Sequence, residues 1–190
     1  MLTKIKRKIK KILGLKHYYP SETSKVRHLI IQYCNGAGCD IGFGGDKIVK
    51  ENCLGIDYAI PYASTGKDKV DIPCDLMNEK IPVKDNTFDY VYTSHLIEDF
   101  VDTKKTLLEF IRILKSGGNL ILVFPDQKIY EQICLKKGLS TNTHHIHKEM
   151  GLNFMLQKMN ETVHIQYNTL FSSNCDIDYN VVLVFQIIKK

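Results

Sequence analysis

Three groups of residues in this chain have types and spacings that can do chemistry. The first runs from Cys39 to Asp57, CDIGFGGDKIVKENCLGID, where Asp40-x-Gly42-x-Gly44 closes one apolar run and Asp57 closes the next. Glycines at such a turn let the backbone approach a ligand closely and adopt positive φ. An acid at the tip of the following run can accept both hydroxyls of a ribose. The second group is Asp75-Leu76, where a carboxylate can accept from an exocyclic amine while the leucine covers a ring face. The third comprises histidines: His95 after an apolar run, and His144, His145 and His147 together in a polar stretch. Histidine is the side chain best poised to take a proton near neutral pH. His-His-x-His also invites a zinc reading, but no carboxylate or thiolate partner stands beside it, so no metal is assigned. Contact with an acceptor or its phosphate is the functional role expected for these three.

The elements that would hold these residues alternate. Strand, glycine loop, a short helix opening at Asp46-Lys47-Ile48, and a second strand form a βαβ unit, with the helix start offering free N–H groups to an anion. A helix capped by Ser21 or Ser24 and running to about Tyr33 precedes it, burying Val26, Leu29, Ile30 and Tyr33. A third strand is expected at 69–74 and a fourth at 86–93. A helix follows from Val101 to Leu114, with Leu107, Leu108, Ile111 and Leu114 inward, and the turn Lys115–Gly118 ends it. Asn119–Phe124 is continuously apolar, as in a parallel strand covered on both faces. A helix over 127–139 should bury Ile129, Ile133 and Cys134, and another should run through 150–159. The last two strands, 162–167 and 181–188, are expected to be joined by a polar loop, 172–178.

Composition narrows the classes. The chain has 190 residues, enough for one domain with a proper core. Six cysteines are scattered without a CxxC pair, as in small core residues of a reducing compartment. No apolar run approaches the roughly 20 residues that span a bilayer. The expected location is cytoplasmic, with peripheral attachment at the inner membrane face as an option. Residues 1–16 hold seven of the 26 basic residues and no acid, leaving 19 bases against 21 acids in the rest. Within that segment Leu2, Ile5, Ile9, Ile12 and Leu13 recur at helical spacing, so 1–16 reads as a basic amphipathic helix for an anionic membrane surface or a protein partner. Nothing aromatic is interleaved with the lysines, which disfavours nucleic acid. The organisation expected is therefore 1–16 as an appended helix and 17–190 as the domain. The long 126–161 connection is the place for an acceptor-binding lid.

The glycine spacing excludes the dinucleotide fingerprint, since Ile41 and Lys47 stand where a third glycine would fall. With DIGFGGDKI, CLGID and CDL in order, FDYVYTSHLIEDF…TLLEFIRILKSGGNLILVFPD resembles the corresponding segment of class I S-adenosylmethionine-dependent methyltransferases, over about residues 28–126. Two departures stand out. Asp99 sits where the family often has a second histidine, and Ser116 replaces the usual proline of the glycine turn. The amide-gripping N/D-P-P-Y/F motif is absent, which argues against DNA-adenine or glutamine-side-chain methylation.

The resemblance implies an α/β fold: a doubly wound Rossmann-like sandwich on a seven-stranded, mostly parallel sheet with an antiparallel last strand. It implies S-adenosyl-L-methionine as cofactor, with Asp40, Gly42 and Gly44 at the methionine moiety, Asp57 at the ribose and Asp75 and Leu76 at the adenine. Thr93, Ser94 and His95 would line the floor near the methyl group, His95 as general base or as a packing residue. The acceptor expected is a small polar molecule, a sugar or phosphorylated metabolite of a surface-polysaccharide pathway. The alternative is a cofactor-binding protein with little activity, tethered to a membrane or a biosynthetic complex by its tail.

Overall fold

The computed structural model describes residues 21–63, 65–162 and 165–189. Helix α1 (Glu22–Ile30) leads through a 3-10 turn (Ile31–Tyr33) to β1 (Gly38–Ile41). Then follow β2 (Cys53–Asp57), β3 (Ile72–Pro73), β4 (Phe88–Ser94), a 3-10 turn (Ile97–Asp99) and α2 (Thr103–Ile113). The chain ends with β5 (Leu114–Pro125), α3 (Gln127–Lys137), α4 (Leu152–Asn160), β6 (Ile165–Ile177) and β7 (Asn180–Lys189). The tail at 1–16 and the linker at 17–20 lie outside the described residues.

One seven-stranded sheet has the order β3-β2-β1-β4-β5-β7-β6. The first five strands are mutually parallel, and β7 runs antiparallel to both β5 and β6. This is the α/β architecture expected. The order reverses at β1/β4, so the crevice outside the carboxyl ends of these two strands is where a ligand is expected in an open parallel sheet. Apolar layers cover both faces. One packs Leu107, Phe110 and Ile111 of α2 and Met155 and Met159 of α4 against Val91, Leu120 and Leu122. The other packs Val26 and Ile30 of α1 against Tyr90, Tyr92, Ile121 and Val123. Alternating residues of β4 and β5 thus feed opposite layers, which explains the unbroken apolar run in β5.

Several local expectations are corrected. No helix forms at 46–48, because its backbone groups are claimed from a distance. Arg27 donates to the carbonyls of Lys47 and Ile48, Asp68 accepts from the Lys47 N–H, and Asp40 accepts from the Ile48 N–H. The 172–178 region is strand rather than loop up to Ile177, closing on a turn at Asp178-Tyr179. In α2 Leu108 faces solvent, and Thr106, Phe110 and Ile113 are buried beside Leu107 and Ile111. In α3 only Gln127 and Cys134 are buried, with Ile129 and Ile133 half-buried. Lys115–Gly118 is a bulge within β5, opposite Phe88–Tyr90, rather than a turn between elements. The third strand is shorter than expected, and β6 is first described at Ile165.

Candidate active site

The glycine loop and the tip of β2 are joined directly. Gly42 and Gly44 adopt φ of 69° and 57°, where a β-carbon would be strained. That geometry turns the Gly44 N–H onto Asp57 Oδ2 at 3.0 Å, while Asp57 Oδ1 accepts from the Tyr58 N–H at 2.8 Å. A carboxylate has about four acceptor positions, so each Asp57 oxygen keeps one for a further donor. Burial is the main cause that raises the Asp57 carboxyl above the usual carboxylate range, against those two N–H groups. Asp40 is fully buried: its Oδ2 accepts from Ile48 N–H at 2.7 Å and its Oδ1 has no partner among the described residues. Desolvation pushes its carboxyl well up, offset in part by the Ile48 N–H.

Tyr58 carries the chain of contacts onward, donating its hydroxyl to Asp75 Oδ1 at 3.1 Å. Asp75 also accepts from the Met77 and Asn78 N–H groups on Oδ1 and from the Asn78 amide on Oδ2. Its carboxylate is therefore largely engaged in its own turn, with one position open on Oδ2. Leu76 beside it is buried.

The end of β4 reaches the same crevice. A β-carbon on Gly42 would meet Leu96 at 2.8 Å, so the glycine loop and the residues after β4 are in contact. Ser94 Oγ is buried without a hydrogen-bond partner among the described residues. His95, at φ 52°, has both ring nitrogens facing acceptors. Nε2 lies 2.6 Å from Asn180 Oδ1, whose amide is oriented by donation to Glu22 Oε2, and Nδ1 lies 3.3 Å from Glu98 Oε1. Burial disfavours its charged form, but the contact with and charge of Glu98, then Glu22 and Asn180, outweigh that and raise its pKa. The Glu98 carboxylate is fully buried and receives no well-directed hydrogen bond from the described residues. Burial and the Glu98 charge push the neighbouring Asp99 carboxyl up to about 7.

The three clustered histidines diverge. His145 is buried, with Nδ1 2.9 Å from Gln127 Oε1 and Nε2 3.6 Å from Glu98 Oε1. Desolvation lowers its pKa, against the pull of Glu98. His147 Nε2 is 2.7 Å from the Phe100 carbonyl and 3.2 Å from Thr103 Oγ1. His144 is exposed and packs edge-on against Tyr62 at 5.1 Å. Among the described residues no group of three or more His, Cys, Asp or Glu is placed to hold a metal. Glu22, Tyr58, Gln127 and Asn180 enter the site without having been singled out. Glu98, three residues past His95 on a turn, was the one with a local signal.

Comparison with known proteins places this geometry. Residues 36–122 match the family model described as a methyltransferase domain. That match spans the glycine loop, Asp57, Asp75 and the His95 turn. A ubiquinone/menaquinone biosynthesis C-methyltransferase from Geobacter sulfurreducens is 30% identical over 95 residues, 42% of this chain and 36% of the relative. A demethylmenaquinone methyltransferase from Bacillus cereus is 29% identical over 101 residues, 50% of this chain and 43% of the relative. The chain thus covers about two fifths of the length of these relatives. Among solved structures, a methyltransferase from Thermotoga maritima superposes with a TM-score of 0.62 at 18% identity, over 87% of this chain and 88% of that one. Another from Aquifex aeolicus gives 0.56 at 14% identity, over 96% and 97%. The fold is that of S-adenosylmethionine-dependent methyltransferases, and the cofactor that fold and domain imply is S-adenosylmethionine. The site fits it: two open acceptor positions on Asp57 match two vicinal hydroxyls.

Proposed function

We propose that the chain is an S-adenosylmethionine-dependent methyltransferase acting on a small acceptor. The observation that carries this reading is the Asp57 carboxylate, held by the Gly44 N–H with one acceptor position open on each oxygen. When bound, the cofactor supplies an electrophilic methyl group on a sulfonium. The protein's contribution is alignment of acceptor and methyl group for in-line displacement. Gly42 and Gly44 shape the methionine end, Asp57 binds the ribose, and Leu76 with the open position of Asp75 meets the adenine. Ser94 lies at the floor. His95, with both ring nitrogens held against acceptors, orients the end of β4 rather than serving as the base. His145 reaches the same carboxylate from the 126–161 segment, which we read as the cover over the acceptor.

The named relatives direct an acceptor screen to quinone precursors first. None of the comparisons reported above supports a sugar or phosphorylated metabolite. A cofactor-binding protein with little turnover is the second reading, favoured by the engagement of both His95 ring nitrogens with protein acceptors. Residues 1–16 are assigned to attachment, at a membrane or a protein partner.

The test is calorimetric titration with S-adenosylhomocysteine, S-adenosylmethionine and NAD, beside Asp57→Ala with its fold checked by circular dichroism. Micromolar binding of the first two, lost in the variant, is expected. No binding by the wild type, or unchanged affinity in Asp57→Ala, would overturn the site. A screen that finds tight binding without turnover would select the second reading.

A further inference from the structure

Single exposed apolar side chains are ordinary on a protein surface. Leu135 on α3 is one such residue, but three of the four most exposed gather at one edge. Ile60 (87% exposed) and Tyr62 (78%) follow the carboxyl end of β2, and Val101 (87%) follows that of β4. Ile146 (44%) is brought to the same edge because its N–H donates to the Glu98 carbonyl at 3.2 Å. The edge-on contact of Tyr62 with His144 makes the β2 loop and the histidine segment one surface. These residues come from three separate stretches of chain, and together they rim the candidate site.

The described part of the chain begins at the same carboxyl edge of the sheet. Glu22, the first residue of α1, accepts from the Tyr179 hydroxyl at 2.8 Å and from the Asn180 amide at 3.1 Å. Asn180 in turn pairs with Pro125 at the carboxyl end of β5. Residues 1–16, with seven cations, no acid and five aliphatic side chains at helical spacing, precede α1 in the sequence.

We infer that this edge is a docking face for an anionic lipid surface, with the rim residues and residues 1–16 engaging it together. Apolar side chains of this size partition into the headgroup–acyl boundary, and lysines and arginines add attraction to anionic headgroups. Seven uncompensated cations favour a membrane over a protein surface of mixed charge. The mouth of the site then faces the bilayer, so an acceptor dissolved in lipid enters without crossing water. That last step rests on the methyl-transfer reading; the docking itself does not.

Flotation of the full chain with vesicles tests it. One set is phosphatidylcholine alone and the other contains phosphatidylglycerol, each at low and high salt. The rim variant carries Ile60→Ser, Tyr62→Ser and Val101→Ser, all at exposed positions, and the tail variant carries Lys4→Glu, Lys8→Glu and Lys11→Glu. Binding is expected only to anionic vesicles, weakened by salt, and about tenfold or more weaker in each variant. Full-strength binding by the rim variant would overturn the docking face. No vesicle binding by the wild type, with residues 1–16 instead mediating a soluble protein complex, would overturn the membrane as its partner. Titration with S-adenosylhomocysteine in vesicle-free solution separates either failure from a failure of the cofactor site.

Discussion

Glu98→Gln removes the fully buried carboxylate beside His95 while keeping its shape. At 3.3 Å from His95 Nδ1, a unit charge pair at an effective dielectric of 20 is worth about 5 kcal/mol. That attraction is what overcomes the desolvation of the imidazolium. Without it, burial dominates, and the His95 pKa should fall. Asp99, raised to about 7 by burial and then by the Glu98 charge, should fall towards the ordinary carboxylate range. His145, already lowered by burial and supported by Glu98, should fall further.

The sign for stability follows. The raised folded-state pKa of His95 contributes stability fully below about 6.5, and that contribution is lost as pH rises through the folded value. Over that window the slope is about 1.4 kcal/mol per pH unit. The wild type should therefore lose more stability than Glu98→Gln as pH rises above about 6.5. Heteronuclear NMR of the imidazole nitrogens reads the two histidines, and urea unfolding across pH 5.5 to 8.5, a range of about three units around the histidine pKa, reads the linkage. An unchanged or higher His95 pKa in the variant would refute the reasoning.

Two other substitutions probe the scaffold. Gly44→Ala puts a β-carbon 2.8 Å from the Ala63 carbonyl at φ 57°, which costs about 1–2 kcal/mol from the backbone conformation alone. Because the Gly44 N–H holds Asp57, calorimetry should also show weakened S-adenosylhomocysteine binding; wild-type affinity would refute the link. Asp102→Ala removes the side chain that caps α2 through the Lys105 N–H, a loss of about 1 kcal/mol readable by urea unfolding.

Where sequence and structure agree, the signal was local. The glycine loop, the acid ending β2 and the apolar run of β5 are each set by neighbours within a few residues. Where they part, a distant group intervened. A helix at 46–48 needed its carbonyls and N–H groups for itself, and Arg27, Asp40 and Asp68 took them. The 172–177 stretch is polar because it forms the half-exposed edge strand, and its hydrogen bonds come from β7, which sequence order alone does not announce. The clustered histidines were read as a unit from their spacing. In an irregular segment, adjacent side chains instead point to separate neighbours, and those neighbours lie 18 to 82 positions away in the chain. Asn180 and Glu22 were illegible for the same reason: they meet His95 only because β7 and α1 both begin at the carboxyl edge of the sheet.

The placement of unsatisfied polar atoms supports the location of the site independently of any motif. A buried polar group without a partner costs about 1–3 kcal/mol, so such groups persist mainly where they have another use. Six buried side-chain atoms lack a partner among the described residues: Asp40 Oδ1, Tyr90 Oη, Ser94 Oγ, both oxygens of Glu98 and Asp99 Oδ1. Five of them stand at or just beyond the carboxyl ends of β1 and β4, the neighbouring strands at which the sheet order reverses. A purely structural protein would gain stability by replacing Ser94 with alanine and Glu98 with a leucine-sized side chain. That this chain keeps a hydroxyl and a carboxylate there, beside the His95 imidazole and opposite a glycine loop, marks the crevice as a place shaped for binding rather than for stability.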